Sequence, residues 1–284
     1  MSLLARFRDR RRRRILRDHP IDDALWRATL ATLPLLQPLD EAERHRLREL
    51  ATLFLHAKRF SGAHDLVVDA PMRVTIAAQA CLPVLRLGFD WLDGWTSVIL
   101  YAESFFVDRE EADEAGVVHS GREERAGEAW HRGPMVLSWA DACAGSEAFG
   151  PGTNVVIHEI AHKLDMRDGD ANGCPPLHRD MDGRRWREAF ARTYDMLCDE
   201  VDRGIPTWID PYAAETPGEF FAVISEHFFV TPRELRIEAP EVYAELCAFY
   251  RRDPAAGLPP LPPEAWSGEA GQPDNPDTRM QDDV

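Results

Sequence analysis

Apolar positions along this chain recur mostly at helical spacing, with two short stretches where β-branched and aromatic residues run together. Asp22 to Leu33 reads as a helix. A second opens at Asp40, where Glu43 three positions on supplies the other half of a capping box, and Leu47, Leu50, Phe54 and Leu55 then mark one face. Residues 71–82 (PMRVTIAAQACL) predict a mostly buried helix ended by Pro83. Trp95–Tyr101 predicts a buried strand, and Gly133–Trp139 a shorter one nearer an edge. The charged, glycine-containing stretch between them, Phe105–Glu128, predicts a loop or a polar hairpin. Pro151-Gly152-Thr153-Asn154 is turn and cap chemistry that launches the helix VVIHEIAHKLDM. A loop over 165–183 follows, rich in Asp, Gly and Pro. Arg184–Val201 returns to helix, with Trp186, Phe190, Tyr194, Leu197 and Val201 on one face. Thr216-Pro217 starts a further helix through EFFAVISEHFF, and Pro240–Arg252 is the last. Many helices with a few strands predict the α+β class.

Composition narrows what such a fold does. The 284 residues are 44% hydrophobic and 29% charged, with 8 Trp and 13 Phe, enough apolar surface for a sizeable core. No uncharged apolar run reaches the length of a spanning helix. The net charge of −16 argues against nucleic acid as substrate. That charge is polarised. Residues 1–17 hold eight Arg and one Asp, whereas residues 253–284 hold seven acids and one Arg. The arginines precede no apolar segment of signal-peptide type, and the five cysteines form no CxxC pair, so reduced thiols in the cytoplasm are expected. Of the five, Cys174, in a loop, is expected to be the most exposed. The divisions expected are a basic arm (1–17), a helical segment (18–60), a catalytic unit (61–252) and a disordered, acidic, Pro-rich tail (253–284).

The chemistry concentrates in His158-Glu159-Ile160-Ala161-His162, an HExxH pattern on a predicted helix. Histidines four apart lie one above the other, so both imidazoles reach a single tetrahedral Zn²⁺. Glu159 is turned toward the open side, where a carboxylate takes a proton from an attacking water. An ordinary amphipathic helix with two polar-face histidines is the competing reading, but it wastes three polar residues on an otherwise apolar helix. A third ligand is needed. Asp165 and Asp168 stand where the longer HExxHxxGxxH pattern requires Gly and His, so a third histidine is excluded. Asp168 itself, Glu219 and Glu226 remain, and spacing alone does not choose among them. Glu219 also completes a capping box with Thr216, and Glu226 also fits an outer carboxylate beside His227. Asp165, three residues after His162, is placed to support a ligand histidine or simply to end the helix. Gly133–Trp139 is expected to lie beside the cleft, able to pair with an extended substrate backbone. Trp130 and Trp139 are expected in the core, and His178 and His227 are expected to be structural.

The segments IAAQACL (76–82), GEAWHRGPMVLSW (127–139), NVVIHEIAHKLD (154–165) and DPYAAETPGEFFAVISEHFF (210–229) resemble the Mlc titration factor A family of bacterial zinc metallopeptidases. In that family a ligand Glu follows a Tyr by seven residues, as Glu219 follows Tyr212. The resemblance implies a zincin-like fold and one catalytic Zn²⁺ held by His158, His162 and Glu219. It further implies Glu159 as general base and Tyr212 as hydroxyl donor to the developing oxyanion. Aminopeptidase-like action on short peptides is implied, together with a second role in which members sequester a glucose-responsive transcriptional repressor. The arginine run is expected to be a solvated arm or a helix start lying on the acidic body, rather than a binder of nucleic acid or anionic lipid.

Overall fold

The computed structural model describes residues 3–103, 105–112, 118–125, 127–129, 133–144 and 152–259. Trp130 and residues 260–284 lie outside the described residues. The architecture is helix-rich α+β, one hydrophobic core running from Ile15 to Ala255. Among the described residues no helix is long and apolar enough to cross a membrane.

The arginine-rich start is a helix, α1 (Leu3–Asp18), held to the body by buried Ile15 and by Arg12 paired with Asp90. Helix α2 (Asp23–Thr32) is capped by Asp22, whose carboxylate accepts from the Ala24 and Leu25 N–H groups. Helix α3 (Glu41–Ala57) opens with the reciprocal capping box predicted from Asp40 and Glu43. It buries Leu47, Leu50 and Phe54 against α4 (Ala70–Cys81), whose interior from Val74 to Cys81 is buried throughout. Between these helices runs β1 (Arg59–Gly62), a strand that sequence periodicity does not reveal. It spans the 60/61 boundary, so the helical segment and the sheet share a continuous backbone and one core.

The main sheet has the order β1, β2 (Ser97–Tyr101), β6 (Met135–Ser138), β5 (Gly127–Ala129). β1, β2 and β6 are parallel, and β5 adds antiparallel to β6. β3 (Phe105–Ala112) and β4 (Val118–Arg125) form a separate antiparallel hairpin, the second of the two forms expected for this charged stretch. One expectation changes. Gly133–Trp139 contributes an interior strand, since β6 is paired on both sides, and among the described residues the edge strand on that side is β5. The reason is local: Gly127–Ala129 folds back on β6 in register Gly127↔Leu137 and takes the pairing positions on that side of β6.

After the sheet the chain continues through α5 (Trp139–Ala144), α6 (Val155–Asp165), α7 (Gly183–Asp202), α8 (Pro217–Val230), α9 (Pro232–Glu238) and α10 (Pro240–Tyr250), of which α5 and α6 pack against β6. Helix α7 stacks Trp186 on Phe190 at 4.2 Å, and both rings meet Phe221 of α8. The chain then continues along the body. Buried Ala255 lies beside Tyr243, and the Pro259 carbonyl accepts from Arg233, so the tail expected from residue 253 begins as packed backbone. Cys143, not Cys174, is the exposed thiol, because α5 turns it outward while Cys174 is half-covered in its loop. Trp139 packs partly against the core.

Candidate metal centre

Helix α6 begins where Asn154 Oδ1 accepts from the Ile157 N–H at 3.0 Å. The glycine two residues earlier is required. Gly152 has φ +100°, and a Cβ there would fall 2.2 Å from the His227 ring. The cap fixes the helix start, and helical spacing then places His158 and His162 on one side with ring centroids 4.8 Å apart.

Helix α8 supplies the third donor. Thr216 Oγ1 accepts from the Glu219 N–H at 3.1 Å, the first half of the predicted capping box. The second half is not made, because the Glu219 carboxylate turns to the histidines instead. His158 Nε2, His162 Nε2 and Glu219 Oε2 then form a triangle with every side 3.1 Å. Donors bound tetrahedrally at zinc distances of about 2.0–2.1 Å stand roughly 3.3 Å apart. The donor set and its spacing therefore fit a zinc ion. It is the one group of three or more His, Cys, Asp or Glu able to hold a metal among the described residues. Asp168 and Glu226 contribute no atom to it.

Glu226 has a different task. Its Oε1 lies 2.7 Å from His158 Nδ1, and its Oε2 accepts from the Asn154 backbone N–H. A carboxylate accepting from Nδ1 keeps the proton there and leaves the Nε2 lone pair for a metal. Asn154 Nδ2 in turn donates to Gln79 Oε1 at 2.7 Å, joining α4 to the same network. This pairing of Glu226 with His158 spans 68 residues, and no local signal in the sequence announces it. Replacing Glu226 by Gln leaves one oxygen where the site needs two acceptors. Zinc affinity is expected to fall about 10- to 100-fold, read by competition with a chelator.

The electrostatics follow from burial against partners. Burial works against a charged His158, but hydrogen bonds to Glu219 and Glu226 outweigh it and hold its pKa well above the ordinary value. Burial would likewise raise Glu219, yet the His158 and His162 contacts keep its carboxyl far below the usual carboxylate range. Asp165 is pushed up to about 6 by burial, opposed by the Gly173 N–H that donates to it at 2.7 Å. This bond turns one oxygen of Asp165 toward the following loop, and no hydrogen bond joins it to His162.

Glu159 is buried at 2% exposure, close enough to His158 and Lys163 for its charge to favour their protonated forms. Lys163, one turn on, donates to the Gly133 carbonyl at 3.0 Å and so ties the approach to β6 onto α6. Tyr212, on a short turn of 3₁₀ helix over Pro211–Ala214, stands half-buried with its ring 6.2 Å from that of His158. Asp210 fixes that turn by accepting from the Tyr212 N–H at 2.9 Å. His178 Nε2 donates to the Phe249 carbonyl at 2.8 Å, and His227 Nδ1 meets Thr231 Oγ1 at 2.8 Å, so both have structural partners. Of the five residues singled out by motif and resemblance, His158, His162 and Glu219 converge, Tyr212 lies beside His158, and Glu159 follows His158 on α6.

Fold and site together define a helix-rich α+β protein with a His–His–Glu group able to hold a metal on two packed helices. A family model for the glucose-regulated metallo-peptidases M90 matches residues 7–251, and the chain belongs to that family. Its relatives include Mlc titration factor A of Yersinia enterocolitica serotype O:8 / biotype 1B, 41% identical over 251 residues, covering 87% of this chain and 90% of the relative. Mlc titration factor A of Yersinia pestis (strain Pestoides F) is 41% identical over 239 residues, 83% of this chain and 87% of its own length. The Yersinia pseudotuberculosis serotype O:1b protein of the same name matches to the same extent.

Proposed function

We propose that the protein is a zinc-dependent metallopeptidase of zincin-like fold, acting on short peptides in the manner of an aminopeptidase in the cytoplasm. The observation that carries the reading is the triangle of donors 3.1 Å on a side, formed by the two HExxH histidines and Glu219. When bound there, a single Zn²⁺ supplies Lewis-acid polarisation and lowers the pKa of water. His158, His162 and Glu219 hold it. Glu159 accepts the proton of the attacking water and passes it to the leaving amine, and its burial keeps competing water away. Tyr212 directs its hydroxyl toward the oxyanion that develops on the scissile carbonyl. Among the described residues β5 is the edge strand of the main sheet on this side and packs against α6, which suits pairing with an extended substrate backbone.

The test is cleavage of a peptide library by zinc-loaded protein, with and without a metal chelator. The expected result is hydrolysis near free N-termini that the chelator abolishes and added zinc restores. Hydrolysis that survives complete metal removal overturns the proposal.

A second role is favoured by the name the relatives carry, Mlc titration factor A, since a titration factor binds and removes a partner. We propose that this chain also binds a glucose-responsive repressor, through surface that does not require the donor triangle. Capture of such a repressor that is unchanged by Glu159→Gln supports it, whereas binding lost only with that carboxylate marks the repressor as a substrate.

A further inference from the structure

We propose that helix α1 is a docking surface for anionic membrane lipid. The helix is fastened along one side only. Ile15 is buried, Leu16 packs partly against the core, and Arg12 pairs with Asp90 and lies 5.7 Å from the Phe89 ring centre. Arg8 adds a looser contact to the same aspartate at 3.7 Å. At about 100° per residue, Arg6, Arg10, Arg13 and Arg17 stand on the opposite side, in a row about 16 Å long. All four are exposed. Arg17 reaches Asp18 at 2.8 Å and Arg14 reaches it at 3.4 Å, pairs in open solvent that compete weakly with another anion. Arg6, Arg10, Arg11 and Arg13 have no ion-pair partner among the described residues.

Folding uses two of these arginines, and solubility does not call for the rest, since they reduce the net charge of a chain at −16. What the row matches is a surface of regularly spaced phosphates. Phe7 decides which surface. It is 71% exposed and borders the arginine row in the second turn of the helix. Arginines flanking an outward aromatic ring suit an interfacial helix, with guanidinium groups at lipid phosphates and the ring at the acyl boundary. A phosphate backbone alone gives such a ring nothing to enter. The helix also solves the problem of the acidic body. Its diameter of about 10–12 Å keeps the body roughly one Debye length from the surface that its outer side touches. There the body's repulsion is screened while the arginines remain in contact.

The experiment is co-sedimentation of the full chain with vesicles of phosphatidylcholine, with and without phosphatidylglycerol. Each basic side chain at an anionic leaflet is worth roughly fivefold in binding. Wild-type protein is expected to bind the phosphatidylglycerol vesicles, to ignore pure phosphatidylcholine and to be released by salt. The quadruple variant Arg6→Gln, Arg10→Gln, Arg13→Gln, Arg17→Gln keeps Arg12 and Ile15, hence the docked helix, and is expected to lose nearly three orders of magnitude. Phe7→Ser, at unchanged charge, is expected to lose several-fold. Circular dichroism of each variant checks that the fold persists. Absence of vesicle binding, binding retained in the quadruple variant, or tighter binding to a duplex oligonucleotide than to the vesicles overturns the proposal.

Discussion

Glu159→Gln is expected to bind one zinc per chain as tightly as wild type while peptide hydrolysis falls at least about a thousandfold. The separation of the two effects is the point. Glu159 contributes no atom to the donor triangle, so an uncharged isostere leaves His158, His162 and Glu219 where they are. It removes the only property the mechanism asks of that residue, the ability to take a proton. The side chain is buried at 2% exposure, so no solvent-borne buffer easily substitutes for it. The measurement is a pair: zinc content by metal analysis, and turnover of a fluorogenic peptide. Loss of zinc with activity would make Glu159 a part of the metal site, and full activity with zinc retained would remove it from the chemistry.

The second large effect is expected at Glu219→Ala. Loss of a direct donor is expected to weaken zinc by more than the roughly 100-fold upper bound for an outer partner such as Glu226. The fold is expected to stay, because Thr216 still accepts from the backbone N–H of residue 219 and the aromatic cluster of α8 is untouched. In wild type the affinity is expected to fall as pH falls. His158 holds its proton well above the ordinary imidazole value, through Glu219 and Glu226, so proton and metal compete for the same site. Titration of zinc against a chelator at several pH values, for both proteins, checks magnitude and direction together. Stoichiometric zinc in Glu219→Ala would overturn the assignment of the third ligand.

How much of this was legible in the sequence depended on the distance over which each signal acts. Caps are local, and they were readable: Asp40 with Glu43, Asn154 before α6 and Thr216 before α8 all sit where the residue types indicate. The long apolar run over 71–82 was legible as buried helix for the same reason. β1 was not legible, since Arg59-Phe60-Ser61-Gly62 is short, mostly exposed and has no alternation to detect. It is a strand because β2 is beside it. The order of the sheet, with β5 outside β6, likewise follows from pairing rather than from any property of Gly133–Trp139. At the site, HExxH was plain, while spacing left Glu219, Glu226 and Asp168 open. Glu219 and Glu226 share one helix and a similar environment, and what distinguishes them is which side of His158 each meets.

Asn154 gives the centre a property of its own. Its side chain caps α6 and reaches Gln79 of α4, while its backbone N–H meets Glu226 of α8. Three helices are thereby clasped at the residue from which both histidines are counted. Small metalloproteins often gain their fold with their ion, so that chelation unfolds them. Here hydrophobic packing and this clasp join the helices without any contribution from an ion, so the fold is expected to survive chelation, read by circular dichroism before and after metal removal. Zinc affinity is then expected to carry no folding cost, and a stripped protein to take the ion up again.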